Sequence, residues 1–337
     1  MDEFYRLKPG ESVENVLRYN SAAVLLSDLG SDFVVAAGSI KNVAFSVSNF
    51  DDNVPSPVFE VKLVNASTGE VVAEYSISFP DRTLPSGDVT SLADFGIKIP
   101  DLAKPQKYLL KARLAGGCVA ASNEWEIYAF PEVAKAKIPD GVRICSDMSQ
   151  EDMVAAMKNG EKVLLFGTGP FKSLTTTFRI GMAGRTAGNF ATVVADHPAL
   201  GDFPHEGYCA WQFRRMMENG AAVQLEAGVP FDPIVDVASS VKCVIRQSML
   251  FEYRIGSGKL LVCSFNVSDS DPAARWLKHE LIKYAASDNF KPRTSLSVKQ
   301  LRAVCDAPLL SGEGNANVAR NPNDPSSNVR AWKYARP

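Results

Sequence analysis

Apolar and polar residues alternate with a period of two through much of the first third of the chain. Between Lys41 and Phe50, Val43, Phe45 and Val47 alternate with polar partners, the pattern of a half-buried strand. Phe59, Val61 and Leu63 repeat it, Asn65 to Gly69 supply turn residues, and Val71 to Phe79 return, which predicts a hairpin. Residues 107–131 do the same, with Gly116-Gly117 at the turn and Trp125, Ile127 and Tyr128 in the last strand. Strands spaced in this way, with no helical period between them, predict an immunoglobulin-like β-sandwich over residues 32–131. Residues 132–141 read as a linker. The stretch 1–31 reads as an N-terminal extension, in which residues 14–30 fit either a helix or a strand and turn.

The pattern changes at Val142. Residues 142–148 form a short apolar strand. Gln150 to Asn159 form a helix with Ser149 or Asp147 as its cap and Gly160 at its end. Lys162 to Phe166 are a second apolar run bounded by glycines, as suits a strand buried on both faces. A long loop follows, then a helix around Tyr208 to Asn219 and the apolar runs 221–226, 242–247, 248–256 and 259–267. Asp271 to Ser287 predict an amphipathic helix, with Asp271 as cap and Pro272 in the first turn. Strand–helix alternation predicts an α/β layered domain over 142–295, flavodoxin- or class I amidotransferase-like, with a mostly parallel sheet. Residues 296–337 read as a partly irregular C-terminal extension. From Ser311 onward they are rich in Gly, Asn, Ser and Pro, and are expected to wrap a surface or stay mobile.

Composition narrows this picture. The 337 residues are too many for one ordinary core and suit two domains and a tail. A net charge of -2 gives no electrostatic reason to expect nucleic acid. No apolar run approaches the roughly 20 residues that span a bilayer. The charged start, Met1 to Glu11, is not a secretory signal as written. The six cysteines are far apart and lack CxxC spacing, which argues against a zinc knuckle or a disulfide framework. Cys145, Cys243 and Cys263 lie in apolar surroundings and read as buried thiols.

Rare residues gather between Phe178 and Met217, where His197, His205, Cys209 and Trp211 share a loop-rich stretch. Asp196, His197, His205 and Glu206 raise the question of a metal, yet the histidines stand in a loop punctuated by Pro and Gly rather than on one helix face. Hydrogen bonds that tie the loop together are the expectation, and no metal or cofactor is assigned. Gly167-Thr168-Gly169-Pro170 follows a buried strand, but lacks the GxGxxG and Gly-Lys-Ser/Thr patterns of nucleotide loops and reads as a tight exit turn. Arg179, Gly181, Gly184, Arg185, Gly188 and Asn189 form a Gly-rich loop able to take an anion or a sugar. Neither Ser173 nor Cys209 has the elbow setting of a nucleophile. Asn123-Glu124 matches the acid/base pair of many retaining glycosidases, but lies in a sandwich strand with no barrel around it.

Several strings of the second domain carry a family resemblance: Arg179 to Gly181, Asp196 to Pro198, Phe203 to Gly207, Trp211 to Phe213, Phe251-Glu252, Gly256 to Val262 and Ala286 to Phe290. They resemble the region downstream of the catalytic barrel in bacterial glycoside hydrolase family 2 (β-galactosidase-like) proteins. Asn123 to Pro131 are similar to the close of the sandwich before it, and Asn321 to Pro325 fit the same context. Members of that family hydrolyse β-glycosides with two glutamates on a barrel of about 250 residues, for which this chain has no room. The resemblance therefore carries over no catalytic residue. It implies a fragment of a larger enzyme or a relative without the barrel.

The expected function is a non-catalytic accessory region of a family 2-like protein, structural, oligomerising or carbohydrate-positioning. Its partners would be carbohydrate, the barrel of a parent or partner glycosidase, or a second copy, and neither nucleic acid nor membrane. A parent that acts on polysaccharide is expected to be exported. Any ligand is expected in a crevice lined by Thr168, Arg179, Arg185, His197, His205 and Trp211. The alternative is a small sugar-processing hydrolase or isomerase that uses His197 and His205, with or without a metal.

Overall fold

A computed structural model describes residues 6–7, 11–116, 119–133, 139–179, 186–188, 192–225, 228–238 and 245–309. The chain is mostly β, and among the described residues no sheet closes into a barrel. It divides into two compact units, Met1–Glu132 and Val133–Pro337.

The first unit pairs a three-stranded sheet with a five-stranded one. The smaller sheet runs in the order Ala23–Ser27, Ile40–Asn49, Asp88–Lys98. The larger runs Val34–Ala36, Val119–Phe130, Gln106–Gly116, Val58–Asn65, Val71–Ser78. Alternation sends Phe45, Val43 and Val47 from one sheet, and Phe59, Val61 and Leu63 from the other, into a shared core. The Phe45 ring lies 5.3 Å from Phe59 and 5.8 Å from Trp125, which locks the sheets face to face. Residues 14–30 prove to be a helix and then a strand: α1 (Val13–Tyr19), capped by Ser12, precedes Ala23–Ser27. The turn at Asn65 closes through Gly69 at φ +74°, a backbone conformation that suits glycine.

The second unit is built on one sheet in the order Val142–Cys145, Lys162–Phe166, Gly258–Cys263, Arg246–Ile255, Ala221–Gln224, Ser173–Thr177, Thr186–Gly188. The first three of these strands are mutually parallel. The expectation of a mostly parallel sheet needs correction, because the sheet is mixed: Arg246–Ile255 is antiparallel to Gly258–Cys263, to Ala221–Gln224 and to Val235–Ala238. The cause is short connections. Only Gly256 and Ser257 join Arg246–Ile255 to the next strand, and a two-residue link makes a hairpin, never a parallel crossover.

Helix α2 (Gln150–Lys158) starts at Ser149, whose side chain accepts from the Asp152 N–H, and the chain leaves it through Gly160 at φ +76°. It shares a core with the helix Val298–Asp306 and with the sheet face that carries Leu165, Phe251, Tyr253 and Val262. The helix expected over 208–219 is shorter: a 3₁₀ turn at Trp211–Phe213 runs into α3 (Arg214–Met217). Upstream, the Cys209 N–H is claimed by the Thr192 hydroxyl at 2.9 Å, and downstream Asn219 turns the chain at φ +60°. Helix α4 (Pro272–Ala286) has Asp271 as its cap and packs beside Lys162–Phe166 and the turn Pro198–Leu200. Helix α5 (Val298–Asp306) opens with a capping box between Ser297 and Gln300. Arg185, Cys118, Cys243 and the tail from residue 310 lie outside the described residues.

Candidate functional site

An apolar strand with one carboxylate in it defines the site. In Arg246–Ile255, Phe251 and Tyr253 face the α2–α5 core, so strand alternation turns Glu252 to the opposite face, under α4. Glu252 is only 5% exposed. Its carboxylate accepts a 2.9 Å hydrogen bond from the Tyr284 hydroxyl of α4. On its other side the Nε2 of His197 lies 3.7 Å away. The His197 ring also meets the Tyr284 ring edge-on, with centroids 5.6 Å apart.

The loop geometry sets the histidine. His197 caps the turn Pro198–Leu200, and its Nδ1 accepts from the Ala199 N–H at 3.2 Å. An acceptor Nδ1 requires the neutral ring to carry its proton on Nε2, the nitrogen beside Glu252. Burial lowers the His197 pKa, and the nearby charge of Arg293 lowers it further, while Asp232 and Asp196 act the other way. Burial raises the Glu252 pKa to about 7, opposed by the Tyr284 hydrogen bond and assisted by Asp232. Near neutrality both groups are thus driven toward their uncharged forms. They are neighbours rather than an ion pair.

Behind them, the Phe290 ring lies tilted against Tyr284 with centroids 5.4 Å apart, and its carbonyl accepts from the Lys259 ammonium at 2.6 Å. A second buried carboxylate, Glu280 of α4, packs against Gly201 so closely that any Cβ there would run into it. Gly201, at φ +53°, is therefore a close-approach glycine.

The other expected site residues are distributed as follows. His205 is half-buried, and its Nδ1 accepts from the Gly207 N–H at 3.3 Å. Trp211 is partly buried and its ring lies 5.1 Å from Phe178, whose neighbour Arg179 is exposed. Glu218 accepts from the Phe178 N–H at 3.3 Å and so holds the end of Ser173–Thr177 beside this ring pair. Thr168 stands in the exit turn of Lys162–Phe166, where its carbonyl accepts from the Phe171 N–H. The geometry thus joins His197 to Glu252 and Tyr284, and Trp211 to Phe178. Tyr284, Arg293 and Asp232 escaped the sequence reading, and Glu252 entered it only through the family resemblance. One signal was available: a single acid inside the apolar run 249–255 demands a buried partner.

Other reactive side chains that the sequence singled out are placed as follows. Cys209 and Cys263 are buried and their thiols are pushed up to about 12 by desolvation, far from a nucleophilic thiolate. Cys145, read as buried, is only half-buried. Glu124 of the glycosidase-like Asn-Glu pair is held by Arg18 at 2.7 Å, and Asn123 donates to the Leu25 carbonyl. No group of three or more His, Cys, Asp or Glu residues able to hold a metal occurs among the described residues.

Comparison with known proteins adds two domain families. Residues 144–306 match a family described as Domain of unknown function (DUF8487), and residues 40–131 match Domain of unknown function (DUF8488). No curated protein matches the chain. Among solved structures it is similar to the sporulation control protein Spo0M from Bacillus subtilis, at 10% identity over 32% of this chain and 49% of that one, with a TM-score of 0.25. A family 123 glycoside hydrolase from Clostridium perfringens matches at 12% identity over 41% of this chain and 32% of that one, with a TM-score of 0.25. A β-glucuronidase from glycoside hydrolase family 2 matches at 15% identity over 31% of this chain and 11% of that one, with a TM-score of 0.22. The chain spans less than half the length of each of these three neighbours.

Proposed function

We propose that this chain is a non-catalytic accessory region of a glycoside hydrolase family 2-like protein, and that its second unit helps to position carbohydrate. One observation carries the reading: the candidate acids, bases and nucleophile that the sequence singled out among the described residues are tied into the fold. His197 and His205 each spend Nδ1 on a backbone N–H two residues ahead, Glu124 is paired with Arg18, and Cys209 is a buried thiol. The parallel trio Val142–Cys145, Lys162–Phe166 and Gly258–Cys263, flanked by α2 and α4, supports a flavodoxin-type relationship for this half of the sheet. Partners in this reading are carbohydrate and the barrel of a parent or partner glycosidase. A dimerisation role calls for a broad apolar patch. The large apolar side chains that the described part of the second unit exposes are Val193 and Tyr208, which gives that role little support.

Sugar recognition uses an aromatic face and fork-shaped polar donors. Trp211 on Phe178, with Arg179 exposed beside them, supplies both kinds of group. Calorimetric titration of the whole chain with neutral oligosaccharides is the test. Arg179→Ala is expected to weaken binding at least tenfold, or about 1.4 kcal/mol, with an unchanged thermal melt. Equal affinity in the variant would remove this crevice from the account.

A second reading, a sugar-processing hydrolase or isomerase, draws on the Glu252–His197 pair. A carboxyl raised to about 7 beside a histidine is a common feature of acid–base sites. Against it stands the burial of Glu252 beneath α4, with one oxygen already taken by Tyr284.

A further inference from the structure

The outer face of the five-stranded sheet carries a charged groove unrelated to the cluster under α4. Alternation turns Glu60 and Lys62, Lys111 and Arg113, and Ser122 and Glu124 away from the Phe45–Phe59 core. They line a groove of about 320 Å³ that Arg18 of α1 also borders. Four cations there meet two carboxylates, although the chain as a whole is net negative.

Register sets each of Lys62, Lys111 and Arg113 opposite a carboxylate, Glu74, Glu124 and Glu60, and adds one like-charge pair. Lys62 stands directly opposite Lys111 on the neighbouring strand, a like-charge pair that disfavours the sheet. Two of the cations have close partners: Lys62 holds Glu74 at 2.8 Å and Arg18 holds Glu124 at 2.7 Å. The other two make only looser ion pairs. Lys111 lies 3.7 Å from Glu124, and Arg113 lies 3.7 Å from Glu60, both beyond hydrogen-bond length. Their side chains are 48% and 64% exposed, so their donors face the groove and solvent.

We propose that this groove binds an acidic saccharide. Its anionic group, a carboxylate or a sulfate ester, would sit between Lys111 and Arg113 and relieve the Lys62–Lys111 repulsion. Its hydroxyls would donate to Glu60 and Glu124 and bond with Ser122. A chain of phosphates fits poorly, because Glu60, Glu124 and the adjacent Glu74 repel a continuous row of negative charge. The inference rests on the reading of this chain as a carbohydrate-associated region, and adds a second site and a charge preference to it.

The test is calorimetric titration of the full chain with three oligosaccharides of equal length: one bearing a single uronate, one bearing a single sulfate ester, and one neutral. At least one acidic ligand is expected to bind saturably, with an affinity that falls as salt is raised. Lys111→Gln combined with Arg113→Gln is expected to weaken it at least tenfold, while any binding of the neutral ligand by the double variant stays unchanged. Both substituted side chains are exposed, and an unchanged thermal melt confirms that the variant folds. Acidic ligands that do not bind, or that bind the double variant equally well, would overturn the inference. If the neutral ligand alone binds, and depends on Arg179, the groove is refuted while the positioning role stands. If no ligand of either class binds, both fail.

Discussion

Glu252→Gln is expected to stabilise the second unit at pH 8 by about 3 kcal/mol, and to change stability little at pH 4. The carboxyl has its pKa raised from 4.5 to about 7 by burial. A raised folded-state pKa contributes stability that is fully present below the unfolded value and is lost as pH climbs through the folded one. The native protein therefore bears an increasing penalty between about pH 4.5 and 7, where the unfolded chain ionises freely and the buried site resists. Gln keeps an oxygen to accept from Tyr284 and has no proton to lose. His197 acts in the opposite direction: its pKa is lowered, so its contribution holds above about 6.5 and fades as pH falls. The Gln variant should thus keep the acid-side loss due to His197 and shed the alkaline-side loss due to Glu252. Chemical denaturation across this pH range reads both limbs. If Glu is as stable as Gln at pH 8, the carboxylate is ionised and satisfied in the native protein, and the buried-acid account fails.

Gly167→Ala is expected to cost about 3 kcal/mol, the sum of an unfavourable φ and a steric overlap. Gly167 has φ +148°, and a Cβ built there would lie 2.5 Å from the Ser146 carbonyl oxygen. The obstacle is backbone, so no side chain can move aside. The Gly167 N–H is also bonded to the Cys263 carbonyl at 2.9 Å, which pins the turn between two parallel neighbours. The midpoint of urea unfolding measures the loss. A variant within about 0.5 kcal/mol of the native chain would show that the turn is soft. The Gly167-Thr168-Gly169 stretch would then regain its claim to be a ligand loop.

How far the sequence led depends on the range of the interactions involved. Strands Ile40–Asn49 and Val58–Asn65 follow from alternation, and α2 and α4 from Ser149 and Asp271, because these signals act within a few residues. The mixed sheet was harder to see. Two apolar runs separated by Gly256-Ser257 read as successive strands, but their direction depends on which neighbours they find. The site was hardest. Glu252 and Tyr284 are 32 positions apart, and nothing local in either segment announces that a phenol will meet that carboxylate. Asn123-Glu124, by contrast, matches a glycosidase motif that the sequence alone already sets aside, because its alternation marks a sandwich strand. In the fold it is a sandwich strand whose acid is neutralised by Arg18, 106 positions away.

Turnover of chromogenic α- and β-glycosides by the purified chain, beside Glu252→Gln and His197→Ala, decides between an accessory region and an enzyme. The accessory reading expects hydrolysis no faster than buffer for all three proteins. Turnover by the native chain that disappears in either variant would contradict it, and would make the buried pair under α4 the catalytic centre.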